Sequence, residues 1–204
     1  ELTCTMVPSA NRAVVTFRSP QTGLHHYSGI GGFWPPELKR SGYDTLIVSG
    51  QSTTPVYLWI DDDKTEICDA SHLWGKGTHE TKRLIREDLD SQDVQVICIG
   101  PAGEKQVLFA SIMNDKDRAA GRSGVGTVMA SKNLKAVAVR GTVGVGNIDN
   151  PKAFMDAVNA GKAVLAENAV TGQGLPTYGT QVLMNVINGM GAMPTRNMRE
   201  VQFE

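Results

Sequence analysis

The sequence predicts an α+β fold, in which a β-rich part with short helices over residues 1–146 is followed by the beginning of a helical part over residues 147–204. Two observations lead to this prediction. In the first part, short β-branched or aromatic runs alternate with glycine and proline, which is typical of strands joined by turns. After Gly146, apolar residues recur at helical spacing, so we place a domain boundary near residues 144–150.

Seven runs in the first part have the length and residue types of β-strands. They are residues 13–17, 45–48, 56–60, 65–68, 94–99, 107–110 and 136–139. The sequence Asp61-Asp62-Asp63-Lys64 connects the third run to the fourth and predicts a hairpin turn. Three adjacent residues on a turn point in different directions, so we expect solvated carboxylates there and no metal site.

Four segments predict helices. They are residues 35–39, residues 78–89, a segment that begins at residue 150, and an amphipathic segment that includes residues 182–187 and stops at residues 189–191. In the second segment, Leu84, Ile85 and Leu89 share one face, and Lys82 is expected on the exposed face. Asn150, which precedes a proline, predicts the N-cap of the third helix.

Composition excludes several classes of protein. A net charge of -1 over 204 residues argues against a nucleic-acid binder, which requires a strongly basic face. No apolar run approaches the roughly 20 residues of a membrane span. Cys4, Cys68 and Cys98 form no C-x-x-C pair, so we expect buried thiols at Cys68 and Cys98 and a reducing, cytoplasmic compartment. The chain begins at Glu1, which suggests a piece of a longer protein.

The most informative segment, residues 117–141, combines glycines with basic residues. Arg118 and Arg122 accompany glycines at 121, 124 and 126, and a short apolar turn then leads to a strand. Six basic residues stand between positions 116 and 140 against one acid, Asp117. Glycines allow backbone amides to approach an anion, so this pattern favours a phosphate-bearing ligand, with a purely structural glycine turn as the alternative.

Three other kinds of site are not supported by the sequence. The glycine order differs from the dinucleotide fingerprint, and no acidic residue closes the following strand to hold a ribose. A Walker lysine at Lys76 would need a glycine five residues before Gly75, and none stands there. The histidines lack metal-ligand spacing, and we expect His25 and His26 in an exposed loop.

Seven blocks of sequence, in constant order, resemble the N-terminal domain of the tungsten-containing aldehyde:ferredoxin oxidoreductases. The blocks are Ser19-Pro20-x-Thr22-Gly23, Gly31-Gly32-Phe33 with Glu37-Leu38-Lys39, Gly42-Tyr43-Asp44, Asp69-Ala70-Ser71-His72-x-Trp74-Gly75, Ile99-Gly100-Pro101-Ala102-Gly103-Glu104, the run from Arg118 to Ala136, and Tyr178-Gly179-Thr180. The resemblance implies the base domain of that family for residues 1–146, without its first segment, and the start of its helical second domain for residues 147–204.

The resemblance also implies a set of cofactor-binding residues. They are Arg12, Gly29, Gly31, Arg118, Ala119 and Gly121. In the family, main-chain carbonyls at the positions of Gly29 and Ala119 help to hold a magnesium ion between cofactor phosphates. Asparagine is usual where this chain has Gly29, so a side-chain hydrogen bond is lost there while the carbonyl is kept.

The activity implied by the resemblance is the interconversion of aldehydes and carboxylic acids at tungsten, or molybdenum, held by pterin. Electrons pass through a [4Fe–4S] cluster to ferredoxin or an iron–sulfur partner subunit. The cluster ligands and catalytic residues of the family match nothing in this chain, so we expect the piece alone to be inactive. A homo-oligomer is expected, without nucleic acid or membrane. The alternative is a non-catalytic or benzoyl-CoA-reductase-like assembly subunit of the same family.

Overall fold

A computed structural model describes residues 2–115 and 117–203. The chain divides into two compact units, residues 1–147 and residues 148–204. The first contains every strand of the described residues, and the second is mainly helical. The predicted α+β class is confirmed, whereas the assignment of the two parts to particular domains stays a prediction.

The first unit begins with a two-stranded ribbon. Strand β1 (Ala13–Arg18) pairs antiparallel with β2 (His25–Ile30), with Val14 opposite Gly29. Phe17, Ser28 and Ile30 are buried on one face, whereas Val14, Tyr27 and Gly29 are exposed on the other. This alternation follows from the two-residue period of a strand and leaves one face of the ribbon uncovered within the first unit.

A six-stranded mixed sheet forms the centre of the first unit. Its order is β4-β3-β8-β5-β6-β7, with β3 and β8 parallel and the other neighbours antiparallel. The strands are β3 (Val56–Asp61), β4 (Lys64–Asp69), β5 (Gln95–Cys98), β6 (Ile112–Asn114), β7 (Arg118–Ala120) and β8 (Leu134–Arg140). All of β8 except Arg140 is buried, as expected for a central strand.

Each face of the sheet carries its own hydrophobic core. Val137 and Val139 of β8 face a cluster that includes Phe17 and Ile30 of the ribbon, and residues of α1 (Trp34–Arg40) and α4 (Val125–Ser131) belong to the same cluster. Ala136 and Ala138 face the opposite cluster, to which α2 (Thr78–Asp88) contributes Ile85. A short helix, α3 (Pro101–Glu104), and a 3-10 turn (Ser71–Leu73) complete the unit.

The second unit consists of α5 (Pro151–Glu167), a π-helical stretch (Ala169–Gly174), α6 (Leu175–Tyr178), a 3-10 stretch (Gly179–Leu183) and α7 (Met184–Gly189). The predicted N-cap is confirmed, because the Asn150 side chain accepts a hydrogen bond of 3.0 Å from Ala153 N. The last predicted segment spans the 3-10 stretch and α7 and ends at Gly189, as expected.

Local sequence was sufficient to predict most of the strands and the first two helices. The strands at 13–17, 56–60, 65–68, 94–99 and 136–139, the 61–64 hairpin and the first two helices are confirmed within a few residues at their ends. Residues 45–48 and 107–110 are not strands. The second of these closes a turn, in which Ala110 N donates to Val107 O, and the chain then turns towards Gly126 N, which donates to Ala110 O.

Several elements were not predicted. The short apolar turn expected after the glycine loop is instead helix α4, and the expected histidine loop is strand β2. The β-branched residues of α4 and the polar composition of β2 disfavour these structures locally, but packing against the sheet and pairing with β1 stabilise them. Strands β6 and β7 have three residues each, too few for a periodic signal.

Candidate functional site

The first half of the predicted site lies on the exposed face of the ribbon. Gly29 is exposed there, and Arg12, just before β1, places its guanidinium beside it. A Cβ built on Gly29 would lie 3.7 Å from Arg12 Nη1. The structure therefore brings Arg12 and Gly29 together, with an exposed cation next to backbone that carries no side chain.

The glycine turn that follows β2 is held in a conformation that only glycine adopts readily. Gly32 has φ +90°, and a Cβ there would collide with the side chains of Asn114 and Asp115. Asn114 Nδ2 donates to Gly31 O, and Phe33 N donates to Asp115 Oδ2 at 3.1 Å. Residues 31–33, hereafter the 31–33 turn, are thus tied to the end of β6.

The second half of the predicted site lies against the ribbon. Strand β7, which contains Arg118 and Ala119, contacts β2. In the loop after β7, Arg122 N donates to Ser28 Oγ at 3.4 Å, and Ser123 Oγ lies 2.9 Å from His26 Nδ1. The two halves of the site, about 90 residues apart in sequence, are therefore neighbours in the fold.

The three glycines of the loop have different roles. Gly124 has φ +82°, and a Cβ there would collide with Leu108 O. A Cβ on Gly126 would lie 2.5 Å from Ser111 O. Both glycines are buried and face the protein's own backbone, as expected if this part of the motif is a purely structural turn. Gly121 is exposed, and a Cβ there would lie 3.9 Å from the Cβ of Ala119, which is an ordinary contact. Of the three glycines, it alone remains open to a ligand.

The basic residues of the loop region also divide into two groups. Arg118 and Arg122 are exposed, and within residues 2–115 and 117–203 no carboxylate pairs with either guanidinium or with that of Arg12. By contrast, Lys132 donates to Gly50 O and Arg140 pairs with Asp61 at 2.7 Å. Lys116, another of the six basic residues, lies outside the described residues.

Lys135 was counted among the six basic residues that favour a phosphate-bearing ligand, and this was wrong. Its side chain is 0% exposed and pairs with Glu104, which is 5% exposed. Lys135 Nζ also donates to Lys76 O at 2.9 Å, and Glu104 Oε2 accepts from Gly75 N at 2.8 Å. Three of the seven resemblance blocks therefore meet at a buried ion pair, which stabilises the fold and is inaccessible to a ligand.

The prediction that Lys82 is exposed was also wrong. Helical periodicity predicted it on the exposed face of α2, but its side chain is only 17% exposed and its Nζ lies 3.2 Å from Asp115 Oδ1. Asn114, Asp115 and Lys82 were missed as candidate site residues. Asn114 and Asp115 stand only a few residues before Arg118 in sequence, but their partners in the 31–33 turn are more than 80 residues away.

The cysteines behave as follows. Cys98 is buried, as predicted, and burial raises the pKa of its thiol to about 12. Cys68 is partly exposed, so the prediction of a buried thiol there was wrong.

Among the described residues, no group of three or more His, Cys, Asp or Glu side chains is arranged to hold a metal ion. Nor does any described helix combine the length and apolar character needed to cross a membrane.

Residues 1–141 match the family model described as the N-terminal domain of aldehyde ferredoxin oxidoreductase. Over 203 residues the chain is 49% identical to the tungsten-containing aldehyde ferredoxin oxidoreductase of Thermococcus kodakarensis and 46% identical to that of Pyrococcus horikoshii. In both comparisons all of this chain is covered, and it spans 33% of the relative's length.

A more distant relative is the aliphatic sulfonate oxidoreductase, WOR-like subunit, of Pyrococcus furiosus, which is 36% identical over 147 residues, or 66% of this chain and 22% of that protein. Among solved structures, the active site complex BamBC of benzoyl coenzyme A reductase with 1,5-dienoyl-CoA is similar, with 46% identity and a TM-score of 0.74. That match covers 76% of this chain and 24% of the other.

Proposed function

The chain belongs to the aldehyde ferredoxin oxidoreductase family, and on that premise we propose that it supports the pterin cofactor of a tungsten- or molybdenum-dependent oxidoreductase. The resemblance deduced from the sequence blocks is confirmed by these matches. Because the chain spans 33% of the length of its relatives, the activity of the whole protein is part of the proposal.

One observation carries the proposal. The exposed Arg12 lies beside Gly29 of β2, and the exposed Arg118 lies in the adjacent strand β7. Neither guanidinium has a carboxylate partner within the described residues. An exposed, unpaired guanidinium donates in a planar fork that suits phosphate oxygens. The arrangement therefore fits a phosphate-bearing ligand that lies across the two strands.

We assign the roles residue by residue. Arg12 and Arg118 donate charge-assisted hydrogen bonds to the cofactor, and the exposed Gly29 and Gly121 allow it to approach the backbone closely. Main-chain carbonyls of Gly29 and Ala119 are suitable oxygen ligands for magnesium, which prefers oxygen donors. Gly31 belongs to the turn that shapes the same surface. Lys135 is buried, so it contributes no positive charge to this surface.

The bound metal would supply two-electron chemistry between an aldehyde and a carboxylic acid, while this chain binds and orients the cofactor. Electrons would leave through a [4Fe–4S] cluster bound elsewhere in the protein, to ferredoxin or an iron–sulfur partner subunit. We name no catalytic residue in this chain. A cytoplasmic location and a homo-oligomeric state remain predictions.

A second candidate function is a subunit of a benzoyl-CoA-reductase-like complex. The specific observation in its favour is the similarity to BamBC, whose 46% identity is close to that of the aldehyde ferredoxin oxidoreductases. Both candidates use this chain as a cofactor support. Dye-linked oxidation of aldehydes and reduction of aromatic acyl-CoA thioesters by the whole protein distinguish them.

The test of the cofactor-supporting role is to change single arginines in the whole protein purified anaerobically from cells supplied with tungstate and molybdate. Arg118→Ala removes charge-assisted hydrogen bonds and should weaken cofactor binding by about 1.5–3 kcal/mol. Metal per chain should fall accordingly. Arg12→Ala should lower electron transfer to the cluster more than metal content, because its matched position in the family lies between the pterin cofactor and the iron–sulfur cluster.

The matched control is Arg83→Ala. Arg83 is exposed and pairs with Glu87 one turn along the same helix, so its loss should leave metal content unchanged. Elemental analysis, extracted pterin and dye-linked turnover are measured for all three variants. Full metal content and full activity in Arg118→Ala would show that the segment from Arg118 to Gly126 is only structural.

A further inference from the structure

A set of side chains holds the 31–33 turn from inside the protein. Asn114 is fully buried, and its amide nitrogen donates to Gly31 O. The Asp115 carboxylate accepts from Phe33 N at 3.1 Å with one oxygen and pairs with Lys82 Nζ at 3.2 Å through the other. Lys82, on helix α2, is thereby connected through Asp115 to the turn.

The turn depends on such external contacts. Glycine populates positive and negative φ about equally, so a Gly-Gly sequence does little to fix its own conformation. In this protein Gly32 is held at φ +90° between two hydrogen bonds, one on each side, from Asn114 and to Asp115. The orientation of the backbone next to Gly29 is therefore determined by side chains of a different part of the chain.

A second observation on Asn114 favours a role in orienting the turn over a role in stability alone. Its Oδ1 is buried without a hydrogen-bond partner among the described residues. A buried polar atom without a partner destabilises the fold. A residue present only to stabilise the core would avoid this arrangement, whereas a residue that orients Gly31 needs the amide.

The charge of Asp115 also requires compensation. Its side chain is 17% exposed, so its carboxylate is only weakly solvated. Under the proposed function, the nearby surface binds an anionic cofactor, and a second negative charge close to it is unfavourable. Lys82, also 17% exposed, neutralises that carboxylate while leaving it free to accept the Phe33 amide hydrogen.

We infer that Lys82, Asn114 and Asp115 are positioning residues for the pterin cofactor. Asn114 and Asp115 orient the 31–33 turn, and Lys82 cancels the charge of Asp115 so that the turn accepts a phosphate-bearing ligand. This inference rests on the proposed cofactor-supporting function and adds a contribution from helix α2, which does not belong to the arginine–glycine motif.

The test compares Lys82→Met, Lys82→Arg and the double variant Lys82→Met with Asp115→Asn in the whole protein. Tungsten and extracted pterin per chain are measured after dialysis, and thermal unfolding is recorded beside them. Lys82→Met leaves the Asp115 carboxylate uncompensated, and we expect cofactor retention about tenfold weaker. Lys82→Arg keeps the positive charge, so it should retain the cofactor. The double variant is neutral and keeps an amide oxygen for Phe33 N, so it should also recover most of the loss.

Two control variants distinguish charge compensation at Asp115 from the loss of any lysine and from the loss of the cofactor site itself. Lys76→Met removes a lysine that pairs with Glu80 at 3.0 Å, but both side chains are 43% exposed, so it should retain the cofactor. Arg118→Ala tests the proposed function in parallel. If neither Arg118→Ala nor Lys82→Met reduces cofactor content, the cofactor-supporting role itself fails.

If Arg118→Ala loses cofactor while Lys82→Met retains it, only the positioning role is overturned. The same conclusion follows if the double variant retains as little cofactor as Lys82→Met although both unfold at the same temperature, since charge compensation predicts recovery. For Asn114, Asn114→Leu should reduce cofactor retention with little change in unfolding temperature. A large drop in unfolding temperature with unchanged retention would assign Asn114 to stability alone.

Discussion

Replacing Lys135 by methionine tests the most deeply buried charge in the described part of the first unit. Methionine has a similar length, so the change removes the ammonium group with little loss of packing. It leaves the Glu104 carboxylate 5% exposed with the Gly75 amide as its remaining donor. Lys76 O also loses its 2.9 Å hydrogen bond. The substitution therefore creates an uncompensated charge in the interior.

The expected magnitude follows from that geometry. Breaking a buried ion pair by removing one partner costs about 3–5 kcal/mol, because the remaining charge is neither solvated nor paired. Combining Lys135→Met with Glu104→Gln removes both charges and leaves an amide that still accepts from Gly75 N. The double variant should be more stable than the sum of the two single changes by about 1–3 kcal/mol.

Urea unfolding followed by tryptophan fluorescence is the appropriate assay. The three tryptophans, at positions 34, 59 and 74, all lie in the first unit, and the last is next to Gly75. Lys132→Met is the control, since its hydrogen bond to Gly50 O is at the surface and its loss should change the free energy of unfolding by about 0.5 kcal/mol or less. A loss below about 1 kcal/mol for Lys135→Met, or strict additivity in the double variant, would refute the reasoning.

Three further predictions concern single groups. Cys98 should resist iodoacetamide at pH 8 until urea is added, because burial raises its thiol pKa to about 12; since the unfolded thiol ionises near pH 8.5, stability should fall as pH rises between these values. Hydrogen bonds from Thr142 lower the pKa of Asp62, so in an NMR titration Thr142→Val should move that pKa up towards its usual value, and an unchanged pKa would exclude the assigned cause. Gly124→Ala should lower the unfolding temperature sharply, since its positive φ alone costs about 1–2 kcal/mol and its Cβ meets Leu108 O, whereas Gly121→Ala should have little effect; equal losses would contradict the structural role given to Gly124.

Local features of this protein were determined by sequence alone. The 61–64 hairpin and the Asn150 cap depend on residues within one turn, so their residue types were sufficient to predict them. The β-rich part before the helical part was also visible, because periodicity is a property of neighbouring residues. The family could be recognised because seven blocks in constant order are far more specific than any single glycine motif.

Tertiary structure alone decided which motif residues are exposed at the surface and which are buried. Gly124 and Gly126 meet backbone at Leu108 and Ser111, so their role depends on how the chain returns upon itself. Lys135 and Arg118 belong to one basic stretch of sequence, yet the first is buried against Glu104 and the second is exposed. Sequence spacing cannot separate them, because the burial of a charged group depends on partners that only the fold brings close.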